Sequence, residues 1–367
     1  MPVQTSYEDL TPVDEPTAVE GRLYYDSSEK KLKYYNGSQW ISLGVLGYTG
    51  FDNDGGGAWT KYINIPIMTS PSEYAQYKIE IDSTNVTVYS ADGTQKAQGD
   101  VASDFWANVK TDGADIRAFD EAKSQLYFWI DNFDFDSKQA TIWVKVEAGS
   151  TELNIAYMNP SATKSSYENV EQVFEFFDDF EGSELDTTKW EYGGTAGDWR
   201  LEVDNSILEL YGNGGAVWIK SIQSFDYPII VRAKVMDLST FDSANKTRNR
   251  YISSQANQNP FGSDCGVFDK STEPTIQLVW QSNWTGITAN TDVWQISEEI
   301  FIPNQLFRWK RPEWDEQGST SLTSIQLQYG VGDYNTAYQS GHMKFDFIAV
   351  AKFTDPANFG TPQVLSF

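Results

Sequence analysis

From Trp59 onward the sequence breaks into short alternating runs separated by turn residues every eight to twelve positions. "KYINIPI", "AQYKIEID", "NVTVYSADG" and "QATIWVKVEAG" each repeat with period two, and "TELNIAYMNPSA" closes on Asn159-Pro160. Alternation of this kind sets one strand face on a core and the other in water. No helical periodicity lasts long enough to compete. The core material agrees: 13 Trp, 20 Tyr and 21 Phe make 15% of the chain aromatic, and rings suit pleated, half-buried surfaces. An all-β chain is therefore predicted, with two β-sandwich domains in tandem after a small amino-terminal β-meander.

The expected boundaries are 1–44 for an assembly or docking segment, 45–172 and 173–354 for the two sandwiches, and 355–367 for a carboxyl-terminal tail. Within the first segment, "GRLYYDSSEKKLKYYNGSQWISLG" reads as three strands, Arg22–Asp26, Lys31–Tyr35 and Gln39–Leu43, the second turn being Asn36-Gly37. A meander this small buries no core of its own, so Tyr24, Tyr34 and Trp40 are expected to pack on other parts of the chain or on other copies. "VLGYTGFDNDGGGAW" reads as a glycine-rich linker; Asp52, Asn53 and Asp54 lack the downstream glutamate of a calcium loop.

Net charge is −25. Such a surface repels phosphate backbones, which argues against nucleic acid as a partner. A single cysteine, Cys265, and a single histidine, His342, allow no intrachain disulfide, Cys/His zinc cluster or multi-histidine site. His342, in "QSGHMKFDF", reads as an exposed loop histidine. The amino terminus has neither a basic start nor an apolar run, so it does not read as a signal peptide. No stretch approaches the length of a membrane span.

The densest acidic stretch, "FEFFDDFEGSELDTTKW" at 174–190, poses the question of catalysis. Its pattern favours architecture: Phe174 and Phe176 share one strand face, Phe177 takes the other, and Phe180 and Trp190 resume after a turn. Asp178, Asp179 and Glu181 then stand where the chain bends, where aspartates cap turn amides. Elsewhere, Trp143 reads as core, whereas "QSNWTG" and "RPEWDEQG" offer Asn283, Trp284, Trp314 and Asp315. An aromatic platform beside Asp or Asn is the usual make-up of a sugar contact. These four are the candidate ligand-binding residues, host-surface glycan being the expected ligand.

Residues 57–175 resemble domain of unknown function 2341, on "AWTKYINIPI", "DFWANVKTDGADIRAFDEAKSQLYFWIDNF", "ATIWVKVEAG" and "LNIAYMNPSA". The family's closing Tyr-Gly-Asn-Pro stands here as Tyr157-Met158-Asn159-Pro160. The second half, from "VFEFFDDFEGSELDTTKW" to "MKFDFIAVAKF", resembles a concanavalin A-like lectin/glucanase jelly-roll domain, and the meander is similar to segments of phage and archaeal-virus tail and capsid-associated proteins. The jelly-roll resemblance implies a structural calcium at Glu181, the Gly182 carbonyl and Asp346, a plain solvated turn being the alternative. Laminarinase-like members carry Glu-x-Asp-x-x-Glu on one strand. "EVDNSILEL" has Glu202 and Asp204 but Ile207 in the third place, and "EIDSTN" fails likewise at Asn85. The expectation is thus a non-enzymatic virion protein, a tail fibre, spike, turret or decoration subunit. It would form a homo-oligomer, bind other virion proteins through residues 1–44, and present its lectin-like domain outward. A leaderless cell-surface adhesin, or a polysaccharide hydrolase or lyase, is the alternative.

Overall fold

The computed structural model describes residues 22–26, 31–42, 48–51, 57–195, 197–238, 247–251, 266–270, 277–280, 283–288, 291–312, 314–320, 322–332, 340–353 and 359–367. The chain divides into two compact units. The first comprises residues 1–89, 95–169 and 356–367, the second 90–94 and 170–355.

β1 (Leu23–Asp26), β2 (Lys31–Tyr35) and β3 (Trp40–Ser42) form an antiparallel meander. Asn36 makes its second turn, with Oδ1 accepting from the amides of Ser38 and Gln39 at 2.9 Å each. Trp40 lies against Tyr35, ring centroids 5.2 Å apart; the side chains of Tyr24 and Tyr34, and residues 52–54, lie outside the described ones.

The first sandwich is built from β4 (Lys61–Pro66), β5 (Ala75–Ile81), β6 (Val86–Ser90), β7 (Gln95–Gly99), β8 (Arg117–Phe119), β9 (Phe128–Asp134), β10 (Gln139–Val146) and β11 (Glu152–Tyr157). One sheet runs β7-β6-β5-β10-β9, the other β4-β11-β8 with an extra strand outside β4. Alternation puts Ile63, Ile65, Leu153 and Ile155 of one sheet and Ile79, Ile142 and Val144 of the other into a common core. Trp143 is buried as well. A helix that periodicity did not reveal, α1 (Ala102–Asn108), buries Phe105 and Trp106. Two turns are too short to persist on propensity. Tertiary bonds hold it: Trp106 Nε1 donates to the Asp82 carbonyl, and Asp104 accepts from Lys61 Nζ and Tyr157 Oη, each at 2.6 Å.

The extra strand is Gln363–Ser366, paired antiparallel to β4. Part of the segment expected to be a tail therefore completes the second of these sheets, outside β4. Its last ring, Phe367, stacks on Tyr48 (5.4 Å) and packs on Tyr62, Phe51 and Phe119. Truncation after residue 358 removes two packed rings, Phe359 against Tyr77 and Phe367, and should lower the stability of the first unit by about 3–6 kcal/mol. Urea titration followed by hydrogen exchange in residues 57–157 measures it, and an unchanged midpoint would show that the strand is ornamental.

In the second unit a single turn, α2 (Val170–Val173), leads into β12 (Phe176–Asp178). There follow β13 (Trp190–Gly194), β14 (Asp198–Asp204), β15 (Ile207–Asn213), β16 (Val217–Ser221), β17 (Ile229–Asp237), β18 (Thr247–Tyr251), β19 (Gly266–Lys270), β20 (Gln277–Trp280), β21 (Asn283–Thr288), β22 (Gln295–Ile302), β23 (Leu306–Arg311), β24 (Trp314–Gly318), β25 (Gln328–Val331) and β26 (Ser340–Lys352). Pairing gives one layer in the order β14-β15-β26-β17-β22-β23-β24 and another in the order β13-β16-β25-β18-β19-β20-β21. Leu208, Leu210, Val235, Met343 and Phe345 of the first share a core with Trp190, Ile219, Tyr329 and Val331 of the second. The expected all-β class of jelly-roll-like sandwiches is what the chain forms, the second unit standing between two stretches of the first in sequence.

The acidic stretch is a sandwich corner. Phe174, Phe176, Phe177, Phe180 and Trp190 are all buried, and Phe176 meets Trp190 edge to face at 5.2 Å. Asp178 fixes the corner by accepting from Trp190 Nε1 at 2.6 Å and the Phe180 amide at 3.0 Å. Burial raises its pKa, and these two bonds oppose the shift.

Candidate functional site

The outward face of the first layer carries the polar chemistry of the second unit. β14 and β15 are joined through Asn205 and Ser206, both in the left-handed region (φ 51 and 58). That two-residue turn pairs Glu202 with Glu209 and Asp204 with Ile207. The next strand sets Lys344 opposite Glu209 and His342 opposite Tyr211, and the one beyond sets Met236 opposite Lys344. A row Glu202–Glu209–Lys344–Met236 thus crosses four strands, about 4.8 Å apart. At its far end, just before β22, stand Val293 and Trp294, 47% and 38% exposed. Glu202, Asp204, Asn205, Glu209, Trp294 and Lys344 all line one open cleft of about 380 Å³.

Glu209 is the most constrained group in the row. It takes Lys344 Nζ at 2.8 Å, His342 Nε2 at 2.7 Å and Arg200 Nη2 at 3.2 Å. Burial pushes its pKa up, but the bonds and charges of Lys344 and His342 outweigh this and bring it down to about 2. Glu209 is therefore a carboxylate at every physiological pH. Burial holds the His342 imidazole below its ordinary pKa despite that neighbour. An ionised carboxylate only accepts, so Nε2 carries the proton and donates. The expectation of an exposed loop histidine is corrected: His342 lies within β26, its side chain is 12% exposed, and its ring packs edge-on to Tyr211 at 5.4 Å.

The residues singled out from sequence lie elsewhere. Asn283 and Trp284, expected in a loop, open β21 opposite Trp280 and Val279; their side chains are outside the described ones, as is that of Trp314. Asp315 sits on β24 and closes a two-pronged ion pair with Arg308, at 2.7 Å to Nε and 2.5 Å to Nη2. That pairing holds its pKa down. Glu181 and Gly182 are exposed at the turn, Asp346 is on β26 in an ion pair with Lys234, and among the described residues no group of three acidic, imidazole or thiol side chains could hold an ion.

Against known proteins, the family model of domain of unknown function 2341 matches residues 112–193, a shorter span than the resemblance read from sequence. No curated protein matches the chain. Solved structures resemble it in fold. One is a pseudo β-1,3-glucanase and immunostimulatory antigen of Mycobacterium tuberculosis, 12% identical over 49% of this chain and 99% of its own, with a TM-score of 0.36. Another is an endo-β-1,3-glucanase of Pyrococcus furiosus, 11% identical over 50% and 95%, TM-score 0.37. A third is a glycoside hydrolase family 16 protein of Mycobacterium smegmatis, 11% identical over 48% and 99%, TM-score 0.34.

The expectation that the chain is not an enzyme is contradicted by the names of fold neighbours, among them an endo-β-1,3-glucanase and a glycoside hydrolase family protein. That expectation rested on the missing third acid at Ile207, and the hairpin brings Glu209 to the same face from the neighbouring strand. No match supports a viral likeness of the amino-terminal segment or a virion placement. Among the described residues no helix is long and apolar enough to cross a membrane.

Proposed function

We propose that the protein is carbohydrate-active and that a glycan chain lies across β14, β15, β26 and β17 of the second unit. The observation that carries this reading is the gathering of Glu202, Asp204, Glu209, Lys344 and Trp294 in one cleft. Sugar rings offer C–H faces to an indole and hydroxyls to fixed acceptors and donors. Trp294 supplies the first, with Lys234 Nζ 5.8 Å from its ring. Glu209 supplies the second, its geometry set by three cationic or imidazole partners.

Titration calorimetry against a panel of neutral and acidic polysaccharides tests the reading. Trp294→Ala should weaken the binding of whichever glycan the native chain takes up by at least about tenfold, equivalent to about 1.4 kcal/mol. Undiminished affinity in that variant would remove the cleft from consideration.

A second reading, cleavage of the bound chain, is favoured by the register. Directly paired cross-strand residues hold their Cβ atoms about 4.5–5.5 Å apart, and a retaining glycosidase places its two carboxyl groups about 5–5.5 Å apart. In this reading Glu209, permanently ionised, is the nucleophile and Glu202 the acid. Release of reducing ends that disappears in Glu209→Gln supports it; release that persists in that variant removes it.

A further inference from the structure

The interior of the second unit contains charge that the cleft does not use. Asp237 and Arg311 are both fully buried, and Arg311 Nη1 lies 2.9 Å from Asp237 Oδ2. The strand order is β17-β22-β23, so the Arg311 side chain crosses the inner side of β22 to reach its partner. Beneath it on β22 lie Gln295, Ser297 and Glu299, the last 1% exposed. A hydrogen-bonded chain runs from Trp309 Nε1 to Ser297 Oγ and on to Glu299 Oε1, each step 2.9 Å. Glu299 Oε2 is buried without a hydrogen-bond partner.

Two acids therefore share one cation. Among the described residues, β17 contributes Asp237 to this interior, β23 contributes Arg311, and β25 the uncharged Tyr329. β24 has Glu316 at the register position opposite Trp309. The remaining charges of β17, β22, β23 and β26 belong to the opposite face: Glu298 pairs with Arg232 and Lys310, and Lys344 and Asp346 are paired with Glu209 and Lys234. With Arg311 bonded to Asp237, Glu299 fits the interior only as the neutral acid.

We propose that Glu299 is a proton-operated latch: neutral, it lets the β17–β22–β23 end of the sandwich close, and on losing its proton it drives that end open. Burial pushes its pKa up to about 8, with Glu298 adding to the shift and Ser297 and Arg311 opposing it. The sign follows from linkage. A carboxyl whose folded pKa lies above its unfolded value gives full stability below about pH 4.5 and loses it progressively as pH rises through about 8. The latch also reaches the cleft. The Asp292 amide donates to the Asp237 carbonyl at 2.8 Å, so an open latch releases the turn that carries Val293 and Trp294. That consequence, unlike the latch itself, rests on the glycan reading.

Hydrogen exchange of the full chain between pH 6 and 9.5, corrected for intrinsic exchange rates, tests the latch without any glycan. Protection in residues 295–311 should fall at least about tenfold between pH 6 and about 8 and level off above that, while residues 139–157 of the first unit stay protected. Glu299→Gln keeps a hydrogen-bonding amide but cannot ionise, so its profile should be flat. Ser297→Ala removes the bond that favours the ionised form and should move the pH at which the fall levels off to a higher value. A flat native profile, or the same transition in Glu299→Gln, overturns the proposal. Should Glu299→Gln fail to fold, an unmoved levelling-off pH in Ser297→Ala overturns it. The glycan reading can fail by calorimetry with the latch intact, and the latch can fail by exchange with the glycan reading intact.

Discussion

Replacing Arg311 with methionine should destabilise the second unit by about 3–5 kcal/mol, the usual cost of stripping one partner from a buried ion pair. Both side chains have no accessible surface, so water cannot reach the Asp237 carboxylate left behind, and Glu299 loses the one cation that opposes its raised pKa. Methionine conserves much of the volume, which keeps cavity formation a minor part of the effect. Urea titration read by hydrogen exchange in residues 295–311 gives the change. The double variant Asp237→Leu with Arg311→Met should recover most of the loss, since it removes the pair and strands no charge. An Arg311→Met midpoint equal to that of the native chain would mean that the pair is hydrated and that the interior is wetter than its burial indicates.

The second large effect belongs to the first unit. Asp115 is fully buried and accepts from three backbone amides: Lys110 at 3.0 Å, Met158 at 2.8 Å and Asn159 at 3.2 Å. These bonds tie the end of β11 to the connection between α1 and β8. Met158 is held there in the left-handed region, φ 66, a conformation natural to glycine and strained for a side-chain-bearing residue. Asp115→Ala strands three donors at about 1–3 kcal/mol each, offset by removal of a carboxylate whose pKa burial raises. A net loss of about 3–5 kcal/mol is expected in the first unit, measured by urea titration read in residues 57–157. A loss below about 1 kcal/mol would mean that the turn closes without its anchor.

The parts of this fold that show in the sequence are those where local patterning and tertiary demand agree. "KYINIPI" and "QATIWVKV" alternate because each strand has one core face, and Asn36-Gly37 turns wherever it is placed. Where tertiary bonds decide, the sequence is silent. α1 exists because Asp104, Trp106 and Tyr157 bind it in place, and no periodicity records such partners. The cleft was half legible. Glu202 and Asp204 stand out, but Glu209 joins them only through the register set by Asn205-Ser206, and a search along one strand stops at Ile207. Equal spacing of Glu202 and Glu209 about that turn was the available signal. His342 and Lys344 come from more than 130 residues downstream, and Trp294 gains its meaning only by lying beside Met236.

The strand Gln363–Ser366 makes the second unit an insertion between two stretches of the first. During synthesis, residues 170–355 are complete before the partner that β4 needs has been made. The later module in the sequence can thus mature first, while the earlier one waits with one edge and an aromatic cluster uncovered. Tension applied between β4 and that strand would be borne by the first module alone until the strand peels away, leaving the inserted module mechanically sheltered.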